Sequence, residues 1–384
     1  MAISASEESM LLDMVRDLVR ERIAPRAAEI DEKGEFPWDM KELLARQDIL
    51  AMPFPAEYGG LESSEVTILK TIEELAKACA TTALILCVQQ LGSLPILLTG
   101  TPEQMQRFIP RLASGEWLAA FALTEPGSGS DAGSMRTRAE RRGDTYVLNG
   151  VKHFITNAGI AHINTVFAVT DQSAGPHGTS AFVVEADRPG FRMGKSENKM
   201  GIRGSQTGEL IFEDCVIPAE NLLGAEGDGF KISLMTLDRT RPGIAAQALG
   251  IAQGALDFAT DYAKQRVQFG QPIFENQAIQ FMLADMDIKV EAARQLVYHV
   301  GQLIDEGVSR FSRESAIAKT FASDIAMEVT NDAIQVLGGY GYMKEFPVER
   351  MMRDAKICQI YEGTNQIQRL VIARSLRQKG IPIG

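Results

Sequence analysis

The sequence predicts an α+β protein in three parts: an N-terminal helical domain, a small middle β-barrel or sandwich domain, and a C-terminal four-helix bundle. Three observations carry this reading. Apolar residues recur at helical spacing near both ends of the chain. Between them lie short runs rich in Val, Ile, Thr and Phe, separated by turn residues. Strands and helices do not alternate, which argues against a doubly wound dinucleotide fold. The boundaries are expected at residues 1–118, 119–225 and 226–384.

From Ser4 onward the pattern is helical. Ser4 with Glu7 fits a capping box, and Leu11, Val15, Leu18 and Val19 share a face. Pro25 is expected to stop or kink this helix. Further helices are predicted at about Lys41 to Leu50, Ser64 to Lys77, Thr81 to Leu98 and Pro102 to Leu112, with the Pro/Gly-rich "AMPFPAEYGG" (Ala51 to Gly60) as a connection. Around Trp117 the texture changes. In "GDTYVLNGVKHFITNAG", Asn149-Gly150 joins two β-rich runs and predicts a hairpin. "INTVFAVT", "TSAFVVEA" and "GELIFEDCVI" read as further short strands, ending near Gly224. Four long helices are then predicted: Phe230 to Gln265, Gln277 to Glu306, Arg313 to Leu337 and Gln366 to Gln378. The Ala-rich "RPGIAAQALGIAQGALDFA" suits close helix packing.

Composition narrows the function. Lys and Arg total 39 against 50 Asp and Glu, a net charge of −11 that argues against nucleic acid as a partner. Cys79, Cys87, Cys215 and Cys358 form no CxxC pair, so reduced thiols are expected. His153, His162, His177 and His299 are scattered, and no metal site is expected. The N-terminal segment carries charges every few residues, with neither a signal-peptide core nor an apolar span of ~20 residues. A soluble cytoplasmic protein without membrane insertion is expected, with the mature form of a mitochondrial matrix protein as the alternative.

Several stretches could carry chemistry. "TEPGSGSDAGS" (Thr124 to Ser134) is a polar, Gly-rich loop able to line a planar ligand or a phosphate, or simply to turn in solvent. "LDRTRPG" places Asp238, Arg239 and Arg241 within five residues, as a phosphate site or an internal ion pair. Arg266 ends a helix, and "QVLGGYGY" (Gln335 to Tyr342) is first of all a helix C-cap. In "IYEGTNQIQR", Thr364 can cap a helix and Glu362 reads as either a turn residue near a helix N-terminus or a base.

In this order the pieces resemble the acyl-CoA dehydrogenase family of flavoenzymes. "LTEPGSGSD", "FITNAG", "RTRPGIAA", "QVLGGYGY", "RDAKICQIYEGT" and "QIQR" all fall at family-like spacing, and the resemblance runs from "AMPFPAEYGG" to "IYEGTNQIQRLVIAR". It implies an FAD enzyme forming an α,β-double bond in an acyl-CoA thioester. A carboxylate removes the α-proton and the β-hydrogen leaves as hydride to the flavin. The base is expected to be Glu362, because the alternative family position holds Thr240, which cannot serve. By the same resemblance Phe121, Leu123, Thr124, Gly129 and Ser130 run along the flavin, and Phe154, Ile155 and Thr156 cover it. Phe154 stands where many relatives carry Trp. Arg266, Gln268 and Phe269 meet the FAD pyrophosphate, with Asn276 and Gln277 close by. Gln335, Gly338 and Gly339 reach FAD across a subunit boundary, and Thr364 and Gln366 also contact it. Ser130, Asp238, Arg241, Gly363 and Arg374 are the expected CoA contacts. A homotetramer and an electron-transferring flavoprotein as acceptor are implied.

Acyl specificity is expected to depend on the helix "TTALILCVQQLGSLP". Its Cys87, Gln89, Gln90 and Ser93 suggest a polar pocket for short, branched or alicyclic acyl groups, unless they face neighbouring helices. The same fold also serves acyl-CoA oxidases and enoyl-CoA reductases, which remain alternatives at this point.

Overall fold

The computed structural model describes residues 5–378, so the Ser4 cap lies outside the described residues. Helix α1 (Ala5–Leu18) runs on through a π-helical turn, Val19–Ile23, and a 3-10 turn, Ala24–Arg26, into α2 (Ala27–Lys33). Of the two outcomes expected at Pro25, a stop or a kink, the stop does not occur: the helical path continues, with its winding changed to π and 3-10 turns around the proline. It sits in the first turn of the 3-10 segment, where its missing N–H is not needed, and the wider π turn before it makes room for the ring. Helix α3 (Trp38–Arg46) starts and ends earlier than predicted. Helix α4 (Glu65–Ala78) is capped by Ser64, whose Oγ accepts from the Thr67 N–H at 3.1 Å. Then come α5 (Ala80–Thr99) and α6 (Pro102–Ala113), the latter opened by a Thr101/Gln104 capping box.

The middle region is one sheet. Its strands are β1 (Ala119–Ala122), β2 (Arg138–Arg142), β3 (Thr145–Thr156), β4 (Ile163–Val169), β5 (Thr179–Glu185), β6 (Phe191–Ser196), β7 (Thr207–Pro218) and β8 (Leu222–Leu223). The order is β6-β7-β3-β2-β4-β5-β8, with β1 parallel to β4, so the sheet has two ends and is not a closed barrel. The expected hairpin at Asn149-Gly150 is not there. Both residues lie inside β3, at a register shift against β7, and the turn between β2 and β3 falls at Gly143-Asp144 instead. The physical reason is a partner distant in sequence. Asn149 Oδ1 accepts from the Asp214 N–H at 2.9 Å, and Gly150 lets β3 pass against Thr137, where a Cβ would lie 2.5 Å from the hydroxyl.

Helix α7 (Gly229–Gln265) leads through the small hairpin β9 (Val267–Gln268) and β10 (Gln271–Pro272) to α8 (Gln277–Asp305) and α9 (Ser312–Leu337). Helix α10 (Val348–Cys358), which the sequence reading missed, precedes α11 (Asn365–Gln378). The buried stripe of α10 is Val348, Met351, Asp354, Ala355 and Cys358. Its aspartate accepts from the Ile202 N–H at 2.5 Å, so a polar residue interrupts the apolar pattern.

One apolar core joins the helices of both ends of the chain: Leu69 and Ile72 of α4, Ala83 and Leu86 of α5, Leu249 of α7, Val290 of α8 and Ala326 of α9. The sheet packs Tyr146, Leu148, Phe182 and Phe212 together on one face. Its other face sets Phe167 and Val183 against Ile96 of α5 and Phe108, Ile109 and Leu112 of α6. Helix α5 thus lies between the sheet and α7. It is long and apolar enough to cross a membrane, but 83% of that window is buried inside the protein.

Candidate active site

Glu362 and Gly363 are consecutive residues in left-handed conformation, with φ of 51° and 90°. For a glutamate this backbone is strained and persists only where its surroundings hold it. Here three helices do so. Arg241 of α7 donates from Nε to the Glu362 carbonyl at 3.2 Å. Lys319 of α9 donates to the Gly363 carbonyl at 2.9 Å. Gln368 of α11 donates to both carbonyls, at 3.2 and 3.0 Å. Glycine is favoured at 363 by the φ of 90°, which L side chains rarely adopt, and a Cβ there would also displace the Gln368 amide, 2.5 Å away.

The Glu362 side chain is half-buried, and Thr240 of α7 donates its hydroxyl to Oε2 at 2.8 Å. Burial pushes the carboxyl up to about 7, while the Thr240 hydroxyl and the charges of Arg241 and Lys319 pull it back down. A carboxyl poised near neutrality is suited to take a proton. Thr240, identified from sequence only as the residue that cannot be the base, is thus in contact with Glu362. Beside them, the Tyr361 hydroxyl donates to Gln247, whose Nε2 is held by the Ala80 carbonyl at 2.9 Å.

The Asp238–Arg241 run is divided. Arg241 is buried and paired with Asp238, which also accepts from Ser312. Arg241 is thus held by this pairing inside the protein, while Asp238 stays partly exposed. Exposed Arg239 is the member of the run open to solvent. Arg374 is exposed on α11, nine residues beyond Asn365 and so roughly 13 Å further along the helix.

A second cluster forms on the sheet. The His153 N–H donates to the Thr124 carbonyl at 2.8 Å, which brings the Phe121 to Ser130 loop beside Phe154, Ile155 and Thr156. The loop is anchored by a buried ion pair, with Lys152 Nζ 2.8 Å from Glu125 and 3.0 Å from the Leu123 carbonyl. Phe154 has φ of 56°, lies at a bulge and is 61% exposed, so the bulge turns its ring outward. Ile155 differs from expectation, because its side chain is in the sheet core and only its backbone can face a ligand. Leu123 is likewise buried, whereas Gly129 and Ser130 are exposed.

A third cluster is a cleft of about 460 Å³ between the end of α7 and the end of α9, lined by Arg266, Gln268, Gly338, Gly339, Tyr262 and Tyr340. The Arg266 guanidinium lies over the Tyr340 ring, 5.3 Å from its centroid, and has no carboxylate partner among the described residues. A Cβ at Gly338 or Gly339 would meet nothing within 4 Å, so the backbone there is open to a close ligand. An unpaired arginine beside bare backbone and aromatic faces fits the diphosphate and adenine of FAD. Arg266 and the Gly338-Gly339 turn line the same cleft of one chain. Gln335 is exposed on the last turn of α9, Phe269 is fully exposed at the β9–β10 tip, and Asn276 and Gln277 begin α8. Thr364 Oγ1 caps α11 by accepting from the Ile367 N–H at 3.3 Å, and Gln366 is exposed on its first turn.

The polar residues of α5 divide: Gln90 lines a cavity of about 460 Å³ with Glu65, Leu94 and Arg239, whereas Gln89 and Ser93 turn to neighbouring backbone. Gln89 bonds the Leu112 and Trp117 carbonyls at 2.8 Å, Ser93 bonds the Gln89 carbonyl, and Gln90 bonds Glu65. Only Cys87 faces α7, with Sγ 4.0 Å from the Gly243 carbonyl. Sequence reasoning missed Lys319, which lies in no quoted motif, and Gln368, which lies in QIQR but was assigned no role there. Among the described residues no group of His, Cys, Asp and Glu is placed to hold a metal ion.

Comparison with known proteins agrees with this arrangement. The N-terminal, middle and C-terminal domains of acyl-CoA dehydrogenase match residues 5–116, 120–215 and 227–377. An acyl-CoA dehydrogenase of Bacillus subtilis (strain 168) is 51% identical over 371 residues, covering 96% of this chain and 98% of its own. A cyclohex-1-ene-1-carbonyl-CoA dehydrogenase of Geobacter metallireducens is 51% identical with the same coverage. The structure of butyryl-CoA dehydrogenase from Megasphaera elsdenii is 48% identical and superposes with a TM-score of 0.94, covering 98% of this chain and 99% of that one. With three domains matched in order and half of its residues identical over nearly its full length, the chain belongs to the acyl-CoA dehydrogenase family, FAD-dependent oxidoreductases acting on acyl-CoA thioesters.

Proposed function

We propose that the chain forms the α,β-double bond of a short-chain or alicyclic acyl-CoA, with Glu362 as the base that removes the α-proton. The observation that carries this reading is the Glu362 carboxyl, brought close to neutrality by burial and aimed by the Thr240 hydroxyl. Bound FAD supplies the hydride acceptor. Among the described residues the Glu362 N–H has no acceptor in the protein, so it is free to donate to the thioester oxygen, where negative charge develops as the α-proton leaves. Phe154, turned outward beside the Thr124 loop, is suited to cover a flat ring and keep water from it. Ser130, Arg239 and Arg374, all exposed, are the groups available to CoA.

Two observations support a compact acyl group. A Cβ at Gly243, one turn below Thr240, would lie 3.4 Å from Ile72 and 3.9 Å from Cys87, so three helices close the space beneath the base. Relatives of near-equal identity carry names of alicyclic and short-chain substrates. An electron-transferring flavoprotein is the acceptor the family implies. The exposed Phe269, Phe281 and Ile288 support burial of this face in a homotetramer.

An anaerobic screen of acyl-CoA thioesters, following flavin bleaching, tests the substrate class. Glu362→Gln should bind FAD and substrate but fail to bleach the flavin. A variant that bleaches at the parent rate would remove Glu362 from the mechanism. Reoxidation by an electron-transferring flavoprotein but not by air distinguishes a dehydrogenase from an oxidase.

A further inference from the structure

Lys319 is a fully buried cation whose direct partners are neutral. Its Nζ donates to the Gly363 carbonyl and to Asn365 Oδ1, both at 2.9 Å. Asn365 is itself fixed, donating to Asp324 Oδ1 at 2.7 Å and to Ser323 Oγ at 2.9 Å. The nearby Asp324 carboxylate is taken up by Asn365, Gln359 and Arg369. An ammonium buried against carbonyl and amide oxygens is costly, and an apolar side chain would fill the same volume without that cost. Burial accordingly lowers this lysine to about 8. Such a residue needs a local reason, and what it grips is the second of the two left-handed residues that carry the carboxylate.

We propose that Lys319 is a positioning residue for Glu362, holding the Gly363 carbonyl so that the carboxylate keeps its direction, and favouring the ionised carboxylate by its charge. The inference rests on Glu362 being the base. Arg241 and Lys319 hold successive carbonyls, Glu362 and Gly363, from helices α7 and α9. The charged and titratable groups around the pair are few. Lys319 faces Cys358, Glu362, Arg241 and Asp324, and Glu362 faces Thr240, Arg241 and Lys319. Arg241 remains when Lys319 is replaced, so the effect is graded and not a collapse of the loop.

The test compares Lys319→Met, which loses charge and donor, with Lys319→Gln, which loses the charge but keeps an N–H. Each is assayed per mole of bound FAD by anaerobic flavin reduction across pH. The ascending limb of the profile should move to higher pH in both variants, by roughly half a unit or more. The plateau rate should fall about tenfold or more in Lys319→Met and less in Lys319→Gln. Hydrogen exchange should speed up across residues 358–368 in the Met variant. A limb and plateau unchanged in folded, flavin-bound variants overturn the proposal, as does loss of flavin by both variants, since the lysine then carries only the fold. Glu362→Gln, run in parallel, separates the two claims. If it retains the parent rate, the base assignment fails. If it is inactive while both Lys319 variants match the parent, only the positioning role fails.

Discussion

Replacing Thr240 with valine removes the hydroxyl that donates to Glu362 Oε2 at 2.8 Å and changes almost nothing else in shape. That hydrogen bond stabilises the ionised carboxylate over the acid. A hydrogen bond to a charged group contributes about 1.5–3 kcal/mol, which at 1.36 kcal/mol per unit is about one to two pKa units. Starting from about 7, the carboxyl should therefore move up, because desolvation then acts with less opposition. At pH 7 the ionised fraction falls from about a half to between a tenth and a hundredth, a loss of about 5- to 50-fold in flavin reduction by the relation between protonation and rate. Above the new value the variant should recover, since a more basic carboxylate in the same position is no weaker a base. Stopped-flow bleaching under anaerobic conditions, from pH 6 to 10, separates the shift from a loss of geometry. If the Thr240→Val profile superimposes on the parent, the hydroxyl does not tune the base, and the reasoning from the 2.8 Å contact is wrong.

Two further outcomes follow from the fold and the surface. Gly150→Ala should lower stability by about 1–3 kcal/mol, read as a fall in thermal midpoint, because its Cβ would press on Thr137 inside the sheet, while flavin reduction per bound FAD stays at the parent rate. Phe269→Asp, at the fully exposed hairpin tip, should shift sedimentation from the proposed tetramer toward smaller species and weaken FAD retention, because the tip adjoins the Arg266 cleft. A tetramer of unchanged stability would assign the interface elsewhere.

The helices were legible because each buries a stripe whose period the sequence shows: Leu69, Ile72, Leu75 and Ala76 on α4, for example. The Asn149-Gly150 dipeptide misled because its hairpin preference is local, while its position was decided by Asp214 on β7, 65 residues away. Helix α10 escaped because Asp354 occupies a core position, satisfied by a backbone N–H that no periodicity reveals. At the site, Glu362 could be singled out as the candidate base through the motif that surrounds it. The left-handed backbone that aims it, and Lys319 and Gln368 that hold that backbone, were not legible, because a single lysine on a helix face looks the same whether it meets solvent or a carbonyl. The polar residues of α5 could not be sorted from sequence, where Gln89 and Ser93, which bond neighbouring backbone, look the same as Gln90, which lines a cavity.

The contact between Thr240 and Glu362 joins positions 122 residues apart in the chain. Thr240 and Glu362 meet in the same small volume from different sides, so the destination proposed for the proton is an address in space and not in sequence. Exchange of the two residue types by mutation would leave the rest of the architecture intact, and a lineage could relocate its base without rebuilding its active site. In such a fold, loss of the glutamate from its familiar motif is no evidence of lost activity until position 240 has been read as well.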